Sequence, residues 1–482
     1  MGGGLALLFA EQGLAVGLRD PLESQMDKVI EQGKKDNVKG KITKYSDDKA
    51  LCAGLTSPKT FVWSLPHGDV GDHVLANLLP YLEKGDIIID CANEHYTNTE
   101  RRQGKCGPKG IRYVGCGVSG GYQAARRGPS MCPGSDDETM SIVLPILSKI
   151  AAKAPDGSPC VAHIGTGGGG HYCKMIHNGI EHGMMSAIAE AWAVMYKGLG
   201  MDLDQVGDEL HKWNKSGELE GTFLVRIGAE ICQTKAPDGT RVLETVEDKV
   251  VQDYCGEEGT GIWSNTEAVD HHVPAPTLTA SHYMRVASAD LAQRRIIEKT
   301  FENKTYPPQP IETKDKAAFL EDLRLATYIA CLASFVQGLN VIDKADKANH
   351  YNVDYAALLQ IWRAGCIIQA DFISEKLLQP IYKGYATKKE KNPLYEPVIA
   401  KEFSRSYDAL KRVVLAATVA DHPIPALAAT LDYIKYQTST DLPTAFSEAQ
   451  LDYFGRHMYD IKGQDPEGLP ELGKHHYEWK PA

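Results

Sequence analysis

A change of texture near residue 165 constrains this chain more than any other feature. Ahead of it, apolar runs at 15–20, 59–66, 86–93 and 112–120 alternate with segments of helical spacing such as VGDHVLANLLPYLEKG. Buried strands separated by helices specify a parallel α/β sheet. Beyond it, long segments near 172–197 and 320–342 keep apolar residues at helical spacing and strand-like runs become rare, so the second region is all-helical. After about residue 438 the chain turns irregular, with too little apolar surface for a core of its own. The expected organisation is an α/β domain over 1–167, an all-α domain over 168–438, and an irregular tail over 439–482 that drapes over another surface, a neighbouring subunit being one candidate.

The opening MGGGLALLF reads as a glycine turn running into a helix, with no strand ahead of it and no signal-peptide pattern. The sheet is therefore expected to be truncated at its front. A net charge of -11 argues against nucleic-acid or anionic-membrane partners. No apolar stretch reads as long enough for a membrane span. Eleven scattered cysteines without CxxC or zinc spacing fit a reducing cytoplasm. No metal is expected, since His271–His272 lacks a third ligand at metal spacing.

Chemistry concentrates in GTGGGGHYCKMIHNGIEHG, residues 165–183. A glycine run opening a helix exposes backbone N–H groups where an anion can sit, but the GK[ST] of a P-loop is missing. Helical geometry puts Lys174, His177, Asn178 and Glu181 on one stripe within an arc of about 100°. Ile176, Gly179, Ile180 and Gly183 form the opposite, packing side. Desolvation disfavours the charged forms of a lysine and a glutamate, so such a pair can divide base and acid roles near neutral pH. A second constellation, GCGVSGG, offers the Ser119 hydroxyl and the open backbones of Gly120 and Gly121 to a carboxylate. Asn93 stands at the end of a predicted strand, where open α/β sheets bind ligands. Cys366, in WRAGCIIQ, reads as a small buried hydrophobe rather than a nucleophile.

The segments KMIHNGIEHG, GVSGGYQAARRGPSM, WRAGCIIQ, YQTSTDLPTAF and LDYFGRHMYD resemble the 6-phosphogluconate dehydrogenase family, in order and over nearly the whole chain. The resemblance implies a Rossmann-like domain, a metal-free oxidative decarboxylation of 6-phosphogluconate to ribulose 5-phosphate with NADP in the pentose phosphate pathway (gluconate utilisation), and a homodimer with tail exchange. It further implies Lys174 as base and Glu181 as acid. Asn93, Ser119, Gly120, Gly121, His177, Asn178, His182, Thr260 and Arg285 would hold the sugar acid, with His457 supplied by the neighbouring subunit's tail. Gly2, Asp20, Leu65, Pro66, His67 and Asn93 would contact the cofactor.

This sequence departs from the family at the phosphate end. His182, Glu258 and Leu451 replace a tyrosine, a lysine and an arginine, leaving Thr260 and Arg285, with His182, Arg126 or Arg127 as compensating groups. At the second strand, Arg19-Asp20-Pro21 replaces Asn-Arg-Thr, and an aspartate there favours the free ribose of NAD. Two alternatives therefore stay open: an NAD-preferring β-hydroxyacid dehydrogenase for a non-phosphorylated sugar acid, and a cofactor-deficient homologue without catalysis.

Overall fold

The computed structural model describes residues 1–255, 259–301, 306–385, 391–464 and 473–480. They form two compact units, Met1–Leu431 and Asp432–Ala482.

In the first unit, β1 (Val16–Leu18) pairs in parallel with β2 (Ile42–Lys44). A second sheet runs β3 (Thr60–Trp63), β4 (Ile87–Asp90), β5 (Arg112–Ser119) and β6 (Ser130–Gly134), in that order. The first three of these strands are parallel, whereas β6 runs antiparallel to β5, with Ser119 opposite Ser130. The four expected strands are thus present, but β2 and β6 were not anticipated and the sheet is mixed. Among the described residues β1 pairs only with β2, and β3 only with β4. Val16, Gly17 and Leu18 are half-buried.

Alternation of side chains fills both faces of β4 and β5. Ile87, Ile89, Val114 and Cys116 pack with Leu5, Leu8 and Phe9 of the first helix, while Ile88 and Tyr113 face Trp63, Leu75 and Leu78. Burying such side chains contributes roughly 1.5–3 kcal/mol each.

The helical region is built on the Gly169–Ala193 helix, against which Lys316–Asn349 packs. Glycines set the closeness of this contact. A Cβ on Gly183 would lie 2.3 Å from Ser334 Oγ, and one on Gly338 would lie 2.4 Å from Ile180 Cγ1. Contrary to the sequence expectation, one 18-residue window of Lys316–Asn349 is long and apolar enough for a membrane span. In the fold 89% of that window is buried, as in a core helix.

Glu190, buried near the end of the Gly169–Ala193 helix, accepts the N–H groups of Ala426 (2.8 Å) and Leu427 (3.0 Å) and the Ser186 hydroxyl (2.8 Å). These bonds cap the start of the Pro425–Thr438 helix. Burial outweighs them and pushes the Glu190 carboxyl up from 4.5 to about 7. The folded state therefore holds this proton more tightly than the unfolded chain. The associated stabilisation is complete below pH about 4.5 and is lost as pH rises to about 7. Denaturant midpoints at the two pH values should show wild type losing roughly 3 kcal/mol relative to Glu190→Gln, whose side chain does not titrate.

The second unit is organised by a helix, Thr444–Gly455, where an irregular tail was expected. Asp452 anchors the segment beyond it, accepting from Met458 N (3.0 Å), His476 Nδ1 (3.0 Å), Tyr477 N (3.2 Å) and Trp479 Nε1 (2.8 Å).

Candidate active site

The glycine run 165–170 serves close packing. A Cβ on Gly170 would lie 2.3 Å from the Gly115 carbonyl and 2.5 Å from that of Cys132, and one on Gly169 would lie 3.2 Å from the Tyr351 Cβ. The first turn of the helix is thus pressed onto β5, β6 and Tyr351. This differs from the anion seat expected from the sequence, because the backbone space that glycine opens is filled by protein.

That packing lays Lys174 across β5: a Cβ on Gly117 would come within 2.2 Å of the Lys174 Cβ. Lys174 is buried and its Nζ donates to Asn178 Oδ1, with His177 Nδ1 3.4 Å away. His177 Nδ1 is 2.9 Å from Asn178 Oδ1 and 3.8 Å from Glu181 Oε2. Asn178 Nδ2 in turn donates to Thr260 Oγ1 at 2.9 Å. The predicted stripe therefore forms one connected polar group. Burial, reinforced by the Lys174 charge, holds the His177 imidazole well below its ordinary pKa, so it stays neutral.

Ser119 ends β5 with its Oγ 3.0 Å from His177 Nε2. Gly120 and Gly121 follow with φ of 95° and 68°, and Gly120 has no room for a side chain because its Cβ would sit 2.4 Å from the Gly365 carbonyl. Gly121 is open. Cys366 Sγ lies 3.0 Å from His177 Nε2, a contact that the reading of Cys366 as a plain hydrophobe missed. No spacing signal announces it, since the two residues are 189 positions apart.

At the carboxyl ends of β3 and β4 a cleft of about 240 Å³ is lined by Met1, Ser64, Leu65, Pro66, His67, Cys91, Ala92 and Asn93. Gly2 borders it, with Ser64 Cβ 3.1 Å from where its own Cβ would be. The helix starting at Gly2 has no side-chain cap, which suits an anionic ligand group at its first turn. Behind the cleft, buried Glu94 accepts from Gly68 N (3.0 Å) and Arg102 Nη1 (2.7 Å), while Arg102 Nη2 donates to the Gly68 carbonyl at 2.6 Å. Arg102 also reaches Asp72 (3.0 Å) and Asp90 (3.3 Å), so one cation clamps the loops that follow β3 and β4. Asp20 is not among the lining residues; its Oδ1 accepts from Leu22 N at 2.8 Å.

Trp263, unnoticed in the sequence, links the cleft to the stripe. Its ring meets His67 edge-on at 5.1 Å and His95 at 5.0 Å, and it lies on the Thr260–Asp270 helix whose first residue holds Asn178. Beside Thr260, the buried rings of His182 and His282 stack 5.9 Å apart, and a Cβ on Gly261 would come within 2.5 Å of His182 Cε1. Arg285 Nε donates to Asp253 at 2.9 Å. Arg126 is not a free compensating cation, since it is paired with Glu11 (2.5 Å) and Asp36 (2.6 Å). Glu258 lies outside the described residues. In the second unit, Leu451 and His457 are exposed, the latter 5.8 Å from the Phe454 ring.

A ligand cleft at the carboxyl ends of parallel strands, linked to a buried lysine and a carboxylate, defines a nicotinamide-dependent dehydrogenase. Residues 1–165 match the NAD binding domain of 6-phosphogluconate dehydrogenase, and residues 170–479 match the C-terminal domain of that enzyme. The chain belongs to the 6-phosphogluconate dehydrogenase family. It is 44% identical to the decarboxylating 6-phosphogluconate dehydrogenase of Emericella nidulans, with 100% of both chains covered. Identity to the Salmonella typhimurium enzyme of the same name is 35%, over 99% of this chain and 97% of the relative. The fold superposes on Plasmodium falciparum 6-phosphogluconate dehydrogenase, solved in its apo form and with NADP+ or 6-phosphogluconate, with a TM-score of 0.87 and 31% identity over 99% and 98% of the two chains.

Proposed function

We propose that this chain oxidatively decarboxylates 6-phosphogluconate to ribulose 5-phosphate and CO2, with NADP as hydride acceptor. The observation that carries the reading is the connected Lys174–Asn178–His177 group beside Ser119, with Glu181 next on the same helix. The nicotinamide, when bound, supplies the hydride acceptor. Leu65, Pro66, His67, Asn93 and the first turn of the Gly2–Glu11 helix would hold the cofactor.

In this reading Lys174 takes the proton of the substrate hydroxyl as hydride leaves the carbon. Asn178 and neutral His177 fix the direction of its Nζ and bind the adjacent hydroxyls. Ser119 and the open backbone at Gly121 take the carboxylate that is lost as CO2 from the β-keto acid. Glu181 returns a proton to the enediol carbon. His182, Thr260 and Arg285 take the phosphate end, and His457 is contributed by the tail of a second copy in a dimer. A cytoplasmic location follows from this role.

Glu258, Leu451 and Asp20 motivate the alternative, a sugar acid without phosphate oxidised with NAD. Initial rates with 6-phosphogluconate and gluconate, each with NADP and NAD, separate the two. The expected result is a kcat/KM at least about tenfold higher for the phosphorylated acid with NADP, the worth of one charge-assisted hydrogen bond. Preference for gluconate with NAD would establish the alternative instead.

A further inference from the structure

Cys366 Sγ and Ser119 Oγ both stand 3.0 Å from the same atom, His177 Nε2. The other ring nitrogen, Nδ1, lies 2.9 Å from Asn178 Oδ1. Asn178 is oriented by its two ends: Lys174 donates to Oδ1, and Nδ2 donates to Thr260. A carbonyl oxygen only accepts, so the Nδ1 proton must be the donor to it. The neutral ring then has a bare Nε2 with a single lone pair. Two X–H groups compete for that lone pair.

Only one of them is needed elsewhere. Ser119 Oγ already accepts from Ile367 N at 3.4 Å and lies 3.7 Å from Cys366 Sγ, to which its hydroxyl can donate; that proton is the group that can be redirected to an arriving carboxylate. Cys366 is buried, and burial pushes its thiol up to about 12, so it keeps its proton at any working pH. Its place is fixed by the turn at Gly365, whose φ is 64° and whose carbonyl accepts from Ser130 N at 2.9 Å.

We propose that Cys366 is a positioning residue whose S–H occupies the Nε2 lone pair of His177, fixes the Nδ1–H tautomer and leaves the Ser119 hydroxyl proton for the substrate carboxylate. This rests on the reading of Ser119 as the carboxylate contact. Without the thiol, the Ser119 proton is the donor left for Nε2, and the ligand loses it.

The test combines long-range 1H–15N histidine spectra of the substrate-free enzyme with kinetics of Cys366→Ala and Cys366→Ser. Wild type should show His177 protonated at Nδ1, with Nε2 an accepting nitrogen. Cys366→Ala should raise KM for the sugar acid roughly tenfold, the worth of a hydrogen bond to a charged group, with kcat changed less than about twofold. Cys366→Ser, which restores a donor, should return KM to near the wild-type value. A His177 protonated at Nε2 in wild type, or an unchanged KM in Cys366→Ala, would overturn the proposal. Because the spectrum needs no substrate, failure to turn over 6-phosphogluconate would reject the reaction without moving the tautomer result.

Discussion

Lys174→Ala is expected to lower kcat by about 10²–10⁴, the usual contribution of a positioned acid–base group, while leaving the KM for the cofactor nearly unchanged. The loss should exceed that of any other single change on the stripe. Lys174 Nζ binds Asn178, and its side chain, carried by the Gly169–Ala193 helix, lies where β5 has glycine at 117, so no residue of β5 supplies an amine in its place. Lys174→Arg should not rescue, because the larger guanidinium needs more room than the Gly117 contact and Asn178 leave. Single-turnover rates separate this from a binding defect. Glu181→Gln is expected to slow proton return more than hydride transfer, since its carboxylate sits about two helical turns beyond the lysine, 3.8 Å from His177 Nδ1.

The largest expected effect on stability is that of Arg102→Ala. Its guanidinium is fully buried and joins Asp72, Asp90, Glu94 and the Gly68 carbonyl. Removing it strands Asp90 and Glu94, whose side chains are almost wholly buried, at a cost of about 3–5 kcal/mol. The same truncation at the neighbouring exposed Arg101, which also pairs with Asp72, should cost about 1 kcal/mol or less. Urea midpoints of the two variants measure the difference directly. The Arg102 variant should also bind cofactor more weakly where it still folds, since its guanidinium joins Gly68 of the loop following β3 to Glu94 of the loop following β4.

What the sequence made legible is the part governed by local periodicity. A helix that places residues 0, 3, 4 and 7 together aligned Lys174, His177, Asn178 and Glu181 whatever the tertiary fold did. The apolar runs that became β3, β4 and β5 were long enough to read. β2, only Ile-Thr-Lys, has no run to read, and β6 was hidden by Pro133 and Gly134, residues that ordinarily mark a break in a strand. The glycines of 165–170 were read as an opening for a ligand, but the same absent Cβ equally admits a neighbouring strand, and that is what occupies the space. Cys366 and Trp263 could not be assigned for a different reason. Their partners, His177, His67 and His95, are distant in the chain, and only packing brings them together.

Hydride transfer and decarboxylation are coupled on one site built around Lys174: a hydride leaves the substrate and its carboxylate follows. The direct measurement is the ratio of CO2 released from carboxyl-labelled 6-phosphogluconate to NADPH formed in the same reaction. The expected ratio is one throughout the time course, with both products falling together in Lys174→Ala. NADPH formed without labelled CO2, or no turnover of this substrate by folded protein supplied with NADP, would contradict it.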